Sequence, residues 1–204
     1  MVKRKSKLKI LTILLFSMVF LSQITPININ YYSDNDISQK TQIDPKIEKI
    51  KANAVITEEI RINASDPARN WLWAVSQPWC SGSGFKSDPY VIENLVIDCQ
   101  NSHSGIVIEE SQNSMFNEYF RIQNNIIYNV GDTDSNSAGI KIYKTRDGEI
   151  INNNISSSRD GNYGIHLVGD PFMMMQPTID INITDNYITN TERGIYLEER
   201  CSDI

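Results

Sequence analysis

Acidic and amide side chains gathered in turn-like stretches, with two arginines beside them, are the groups in this sequence whose types and spacing could do chemistry. Asp132-x-Asp134-x-Asn136 copies the first half of a calcium loop, because oxygen ligands at alternate positions of a tight turn suit a hard cation. Ser137 stands where that loop needs glycine and Tyr143 where it needs a bidentate glutamate, which excludes an EF-hand. The chain calls for no cofactor; calcium, on a looser site at this turn, is the one ion its residue types would suit. Asp132, Asp134, Asp160, Asp170 and Asp185 are candidates for the acid pair of a glycosidase, and Arg146 or Arg159 for the base of a polysaccharide lyase. None sits in a catalytic motif, and Asp147-Gly148 and Asp160-Gly161 are more simply turn dipeptides. The ligand-contacting set expected from the turns is Asp132, Asp134, Asn136, Arg159 and Asp160, with no catalytic residue assigned. His103 and His166 are too isolated for a zinc site, and His166 falls at an outward position of a strand. Met173-Met174-Met175 suits gap filling against an irregular surface better than Cu(I) ligation.

What must position these turns is a repeated phrase. Gly105-Ile-Val-Ile, Gly139-Ile-Lys-Ile, Gly164-Ile-His-Leu and Gly194-Ile-Tyr-Leu each open with glycine and place two apolar residues on one face of a strand, at intervals of 34, 25 and 30 residues. That spacing is the repeat range of solenoids. A second phrase precedes each copy, with isoleucines five apart: Ile92 and Ile97, Ile122 and Ile127, Ile150 and Ile155, Ile183 and Ile188. Residues five apart fall on opposite faces of a straight strand, so the chain must bend between them, and Asn125, Asn153 and Asn186 occupy the same place in the bend. Stacked turns would set these asparagines above one another as a structural ladder, which Leu95 interrupts in the first copy.

This combination resembles the right-handed parallel β-helix of pectate-lyase-like proteins, of the carbohydrate-binding and sugar-hydrolase (CASH) modules and of NosD-like exported proteins. The resemblance covers residues 81–204 and implies an all-β solenoid of about four coils. It is specific for fold and weak for activity, because the repeated residues build the coil and carry no chemistry. The inward set expected is Ile92, Ile97, Ile106, Ile108, Ile122, Ile127, Ile140, Ile142, Ile155, Ile165, Leu167, Ile183, Ile188, Ile195 and Leu197.

Ahead of the solenoid, five basic residues among the first nine precede a short apolar run, the pattern of an export signal or, if uncleaved, a membrane anchor over residues 1–25. Residues 26–54 are polar and aperiodic and read as a linker, 55–88 as an N-terminal cap and lead-in, and 89–204 as the β-helix, ending before any C-terminal cap and so incomplete at that end. Trp71, Trp73 and Trp79 could form a sugar-stacking platform, but a small cap needs bulky aromatics for its own core, which is the preferred reading. In an exported chain the three cysteines suggest one bridge, Cys80 with Cys99, and an orphan Cys201.

The net charge is −6, and the first 25 residues hold five basic and no acidic side chains, so the remainder is about −11. This disfavours nucleic acid as a partner. The function expected is therefore a secreted or cell-surface solenoid that binds a polysaccharide or surface glycan, or serves as surface structure, without catalysis. The alternative is a polysaccharide lyase or glycoside hydrolase of the pectate-lyase-like fold.

Overall fold

A computed structural model describes residues 55–110, 118–131, 136–158, 161–170 and 177–204. The export segment and linker expected in residues 1–54, together with Asp132, Asp134, Arg159, Asp160 and Met173 to Met175, lie outside these described residues.

The two phrases become strands that bend into one another and stack as a parallel β-solenoid. The first coil is β3 (Tyr90–Glu93), β4 (Val96–Asp98) and β5 (Ile106–Glu109). The second is β6 (Phe120–Gln123), β7 (Ile126–Val130) and β8 (Ala138–Tyr143), and the third is β9 (Arg146–Ile151), β10 (Asn154–Ser157) and β11 (Tyr163–Val168). The fourth is β12 (Thr178–Thr184), β13 (Tyr187–Thr189) and β14 (Arg193–Glu198), after which β15 (Cys201–Ser202) begins to lie on β12. Like strands pair in parallel through three coil-to-coil steps, giving sheets ordered β3-β6-β9-β12, β4-β7-β10-β13 and β5-β8-β11-β14. Before the first coil, β1 (Ile60–Asn63) lies parallel on β5 and β2 (Cys80–Ser81) antiparallel on β3.

Register explains the apolar periodicity. Ile106, Ile140, Ile165 and Ile195 form one inward row, and Ile108, Ile142, Leu167 and Leu197 another. The first three members of each row are fully buried. Ile92, Ile97, Ile122, Ile127 and Ile155 are also fully buried, each worth about 1.5–3 kcal/mol of transfer free energy. The expected inward set is corrected at its end: Ile183 and Ile188 are only partly buried, and Ile195 and Leu197 are 50% and 47% exposed, because among the described residues no strand lies on the outer edge of β14.

The corner between the paired isoleucines has two parts. Its left-handed residues are Asn94, Asn124, Asn152 and Asp185, with φ of 57°, 56°, 53° and 56°. The ladder asparagine is the residue after, and its side chain bonds to its neighbours in the stack. Asn125 Nδ2 donates to Asn153 Oδ1 at 3.0 Å, and Asn153 Nδ2 donates to Asn186 Oδ1 at 2.9 Å. Each Nδ2 also donates to the coil before, reaching the carbonyls of Ile92, Ile122 and Ile150. The ladder thus satisfies buried amides that would otherwise cost about 1–3 kcal/mol each.

The repeated glycine has an equally local cause. A Cβ on Gly105, Gly139 or Gly164 would stand 2.5, 2.3 or 2.4 Å from Cγ2 of Ile127, Ile155 or Ile188, each on the next coil. The two phrases therefore interlock between successive coils. At Gly194 nothing among the described residues lies within 4 Å of that position.

The first coil is closed. Ile56 bridges Ile97, and Ile60 and Ile62 of β1 are buried on β5. The single turn of helix α1 (Trp71–Ala74) is capped by Asn70, whose side chain accepts from the Trp73 N–H at 3.0 Å. Trp71 is buried and stacks on Tyr90 at 4.6 Å and on Phe120 at 5.9 Å, while Trp73 and Trp79 meet edge to face at 5.7 Å. The tryptophans are thus core of the closing segment, and Trp71 presents no face to a ligand.

All three cysteines are free thiols, so the expected Cys80–Cys99 bridge is not formed. Cys80 lies on β2 against β3, whereas Cys99 follows β4 in a different sheet, and each is buried where it stands. Burial pushes their thiols up, to about 11 and about 12, which keeps both protonated at neutral pH.

Candidate functional site

Strand alternation that sends isoleucine and leucine inward sends a different set outward on the β5-β8-β11-β14 sheet. Val107, Lys141, His166 and Tyr196 form one outer row, and Glu109, Tyr143, Val168 and Glu198 the next. Neighbouring members sit about 4.8 Å apart, the spacing of paired strands. Between the rows and the preceding turn is a cleft of about 330 Å³ lined by Glu109, Asn136, Lys141, Tyr143, His166, Val168 and Glu198.

His166 is the centre of this face. It is 1% exposed although it points away from the solenoid interior, because Tyr163 meets its ring edge-on at 4.8 Å and Tyr196 stacks on it at 5.1 Å. Its Nε2 lies 2.8 Å from Glu198 Oε2. Burial lowers the His166 pKa, the Glu198 hydrogen bond opposes that shift, and the positive charges of Lys141 and Arg193 reinforce it. The imidazole is therefore neutral at pH 7, with the proton on Nε2 donated to the carboxylate. Nδ1 is enclosed and has no hydrogen-bond partner among the described residues.

The charged groups around His166 are divided. Glu109 is paired with Arg61, which also bonds Glu59 at 2.7 Å. Lys144 meets Asp170 at 3.0 Å and stands over the Tyr143 ring at 4.7 Å, and Arg193 lies over the Tyr196 ring at 4.1 Å. Lys141 has no ion pair among the described residues. The cleft thus offers the Lys141 ammonium, a hydrogen-bonding carboxylate, the Asn136 amide and the Tyr143 ring. These are the groups that hold a polyhydroxylated ligand by its hydroxyls and its apolar face.

Of the residues expected to contact ligand, only Asn136 is both described and on this cleft. Asp170 is buried in its ion pair with Lys144, and Asp185 is a left-handed corner residue. Arg146 pairs with Asp147 and, at 3.5 Å, Asp180, both in the β9-β12 sheet. Of the acid-pair candidates only Asp170 and Asp185 are described; Asp132, Asp134 and Asp160 lie outside the described residues. No cluster of three or more acidic, histidine or cysteine side chains suited to a metal ion occurs among the described residues. His103 faces the carbonyls of Ser104 at 2.7 Å and Thr57 at 3.1 Å, which ties the first coil to the segment that closes it. Turn composition directed attention away from Lys141, Tyr143, Tyr196 and Glu198. The signal that would have found them is the same alternation that found the core, followed on its other face.

Set against protein-family models, curated proteins and solved structures, the chain matches none. What stands of the resemblance is the parallel β-solenoid itself. No helix among the described residues is long and apolar enough to cross a membrane.

Proposed function

We propose that this chain is an exported, carbohydrate-binding β-solenoid that holds a glycan on the outer face of β8, β11 and β14 without turning it over. The observation that carries the proposal is the in-register cluster Lys141, Tyr143, His166 and Glu198 around one cleft. A sugar ring covers hydroxyls on its rim and C–H groups on its face, and this cluster pairs charged hydrogen-bonding groups with an aromatic side chain. The enclosure of His166 Nδ1 favours binding over acid–base turnover, since a general base must come within hydrogen-bond reach of the proton it takes. The basic and apolar start of the chain supports export, and the resemblance to CASH and NosD-like repeats supports a glycan as the partner.

The test is a glycan-array screen of the whole chain, with titration calorimetry on any hit. Lys141→Ala and Tyr143→Ala are each expected to weaken binding by about tenfold, the usual effect of losing a good polar or stacking contact. An array without hits, or hits indifferent to both substitutions, defeats the assignment of the cleft. A reducing-end and unsaturated-product assay on the bound glycan is expected to show no product. Product formation lost in His166→Gln would instead make the chain a hydrolase or lyase.

A further inference from the structure

A second cleft, of about 410 Å³, opens on the outer face of the β3-β6-β9-β12 sheet and shares no lining residue with the cleft at His166. We propose that it binds an uncharged glycan, a chain of neutral hexoses, independently of the first cleft.

Register places its groups. Val91, Arg121, Glu149 and Asn182 form one outer row, and two residues earlier in each coil stand Pro89, Tyr119, Asp147 and Asp180. Asp147 and Asp180 are left-handed, with φ of 60° and 55°, whereas Pro89 and Tyr119 at the same place in the earlier coils are not. The coil itself therefore does not require that conformation. A left-handed residue within a strand bends it locally and re-aims the side chain, and here both carboxylates line the cleft.

Charge decides the ligand class. Arg146 bonds Asp147 at 3.0 Å and Asp180 at 3.5 Å, and Arg121 bonds Glu149 through its Nε. Lys86, over the Tyr119 ring at 5.9 Å, adds a third cation to the three carboxylates. An anionic polymer would bury like charges against the carboxylates, and a cationic one against the guanidinium and ammonium groups. A sugar hydroxyl both donates and accepts, so it bonds to either kind without displacing a charge. The side chains of Arg121, Glu149 and Asp180 are 35%, 39% and 46% exposed, which leaves them open to such a ligand. Tyr119 offers the ring on which the C–H face of a pyranose stacks.

The test is calorimetry on the full chain carrying both Lys141→Ala and Tyr143→Ala, which disables the first cleft. Cellohexaose, mannohexaose and maltohexaose serve as neutral probes, and hexagalacturonate and a protonated chitosan hexamer as charged ones. At least one neutral probe is expected to bind, with an affinity that does not fall as salt is raised, because no net charge is neutralised. Adding Tyr119→Ala should weaken that binding by about tenfold through lost stacking. Asp180→Asn keeps a residue that tolerates the left-handed backbone and removes the charged acceptor, so it should also weaken binding by about tenfold, with an unchanged circular dichroism spectrum. Tighter binding of either charged probe overturns the proposal, as does neutral binding indifferent to both substitutions. Neutral probes that bind the unsubstituted chain but not the chain lacking Lys141 and Tyr143 would leave the first cleft as the glycan site and overturn the second, and so would binding of no neutral probe to either chain.

Discussion

The two ends of the solenoid are built from the same strand vocabulary and differ in what lies on them. At the first coil, Ile106 and Ile108 of β5 are fully buried under Ile60 and Ile62 of β1, and Trp71 lies stacked on Tyr90 and Phe120. At the fourth, Ile195 and Leu197 occupy the same inward rows and are half-exposed. Burial in a solenoid is therefore a property of the step between coils rather than of the strand, as expected where stability is a sum of repeats and nearest-neighbour interfaces.

The largest expected effect compares aromatic residues at the two ends. Trp71→Ala should destabilise the fold by about 3–5 kcal/mol in urea unfolding, because it removes a buried indole and its stacking partners cannot collapse over the void. Tyr187→Ala, at a residue 54% exposed on β13, should change stability by no more than about 0.5 kcal/mol. Similar losses at both sites would show that the fourth coil is covered in solution.

A finer comparison uses one position in neighbouring coils. Leu167 and Leu197 are directly paired in register, one fully buried and the other 47% exposed. Leu167→Ala should cost about 2–5 kcal/mol. Leu197→Ala should cost about 1 kcal/mol, as half-burial implies. Reversal of that order would contradict the half-exposure of Leu197.

Within the ladder the comparison is between its middle and its ends. Asn153 Nδ2 donates to Ile122 O, Ile151 O and Asn186 Oδ1, and its Oδ1 accepts from both Asn125 N and Asn125 Nδ2. Asn125 has a ladder partner on one side only, as has Asn186, whose Oδ1 accepts from Asn153 alone. Asn153→Ala should therefore destabilise by about 1–3 kcal/mol and by more than either end variant in thermal melts. Equal, negligible losses in all three would break the ladder as a structural device.

The coil was legible because each of its requirements recurs in a residue type that serves it: isoleucine for the stacked rows, asparagine for the ladder, and glycine where Ile127, Ile155 and Ile188 press in. The bend was legible, but its left-handed backbone belongs to Asn124 and Asn152, one residue ahead of the ladder asparagines. The site was not legible, because outward positions do not repeat: Val107, Lys141, His166 and Tyr196 share a row and no chemistry. Nor does alternation foresee the burial of His166, which depends on two tyrosines, Tyr163 and Tyr196, that close over it from its own strand and the next.

The smallest expected effect is a pH dependence at the open end, where His166 ties β11 to β14 as His103 ties the closed end together through backbone carbonyls. Burial lowers the His166 pKa in the folded chain below the ordinary 6.5, which the unfolded chain keeps. As pH falls through that ordinary value, the unfolded state takes up a proton that the folded state refuses, so stability falls; the loss ends once the pH passes below the folded value. His166→Gln should abolish this part of the acid sensitivity when unfolding free energies on the two sides of that window are compared. Glu198→Gln should do the opposite. The carboxylate is the group that favours the imidazolium, and without it Lys141 and Arg193 act unopposed, so the folded pKa drops further and the acid loss extends to lower pH. If the two variants move the acid sensitivity in the same direction, Glu198 does not hold His166 in solution, and the last coil is attached to the third without that side-chain bond.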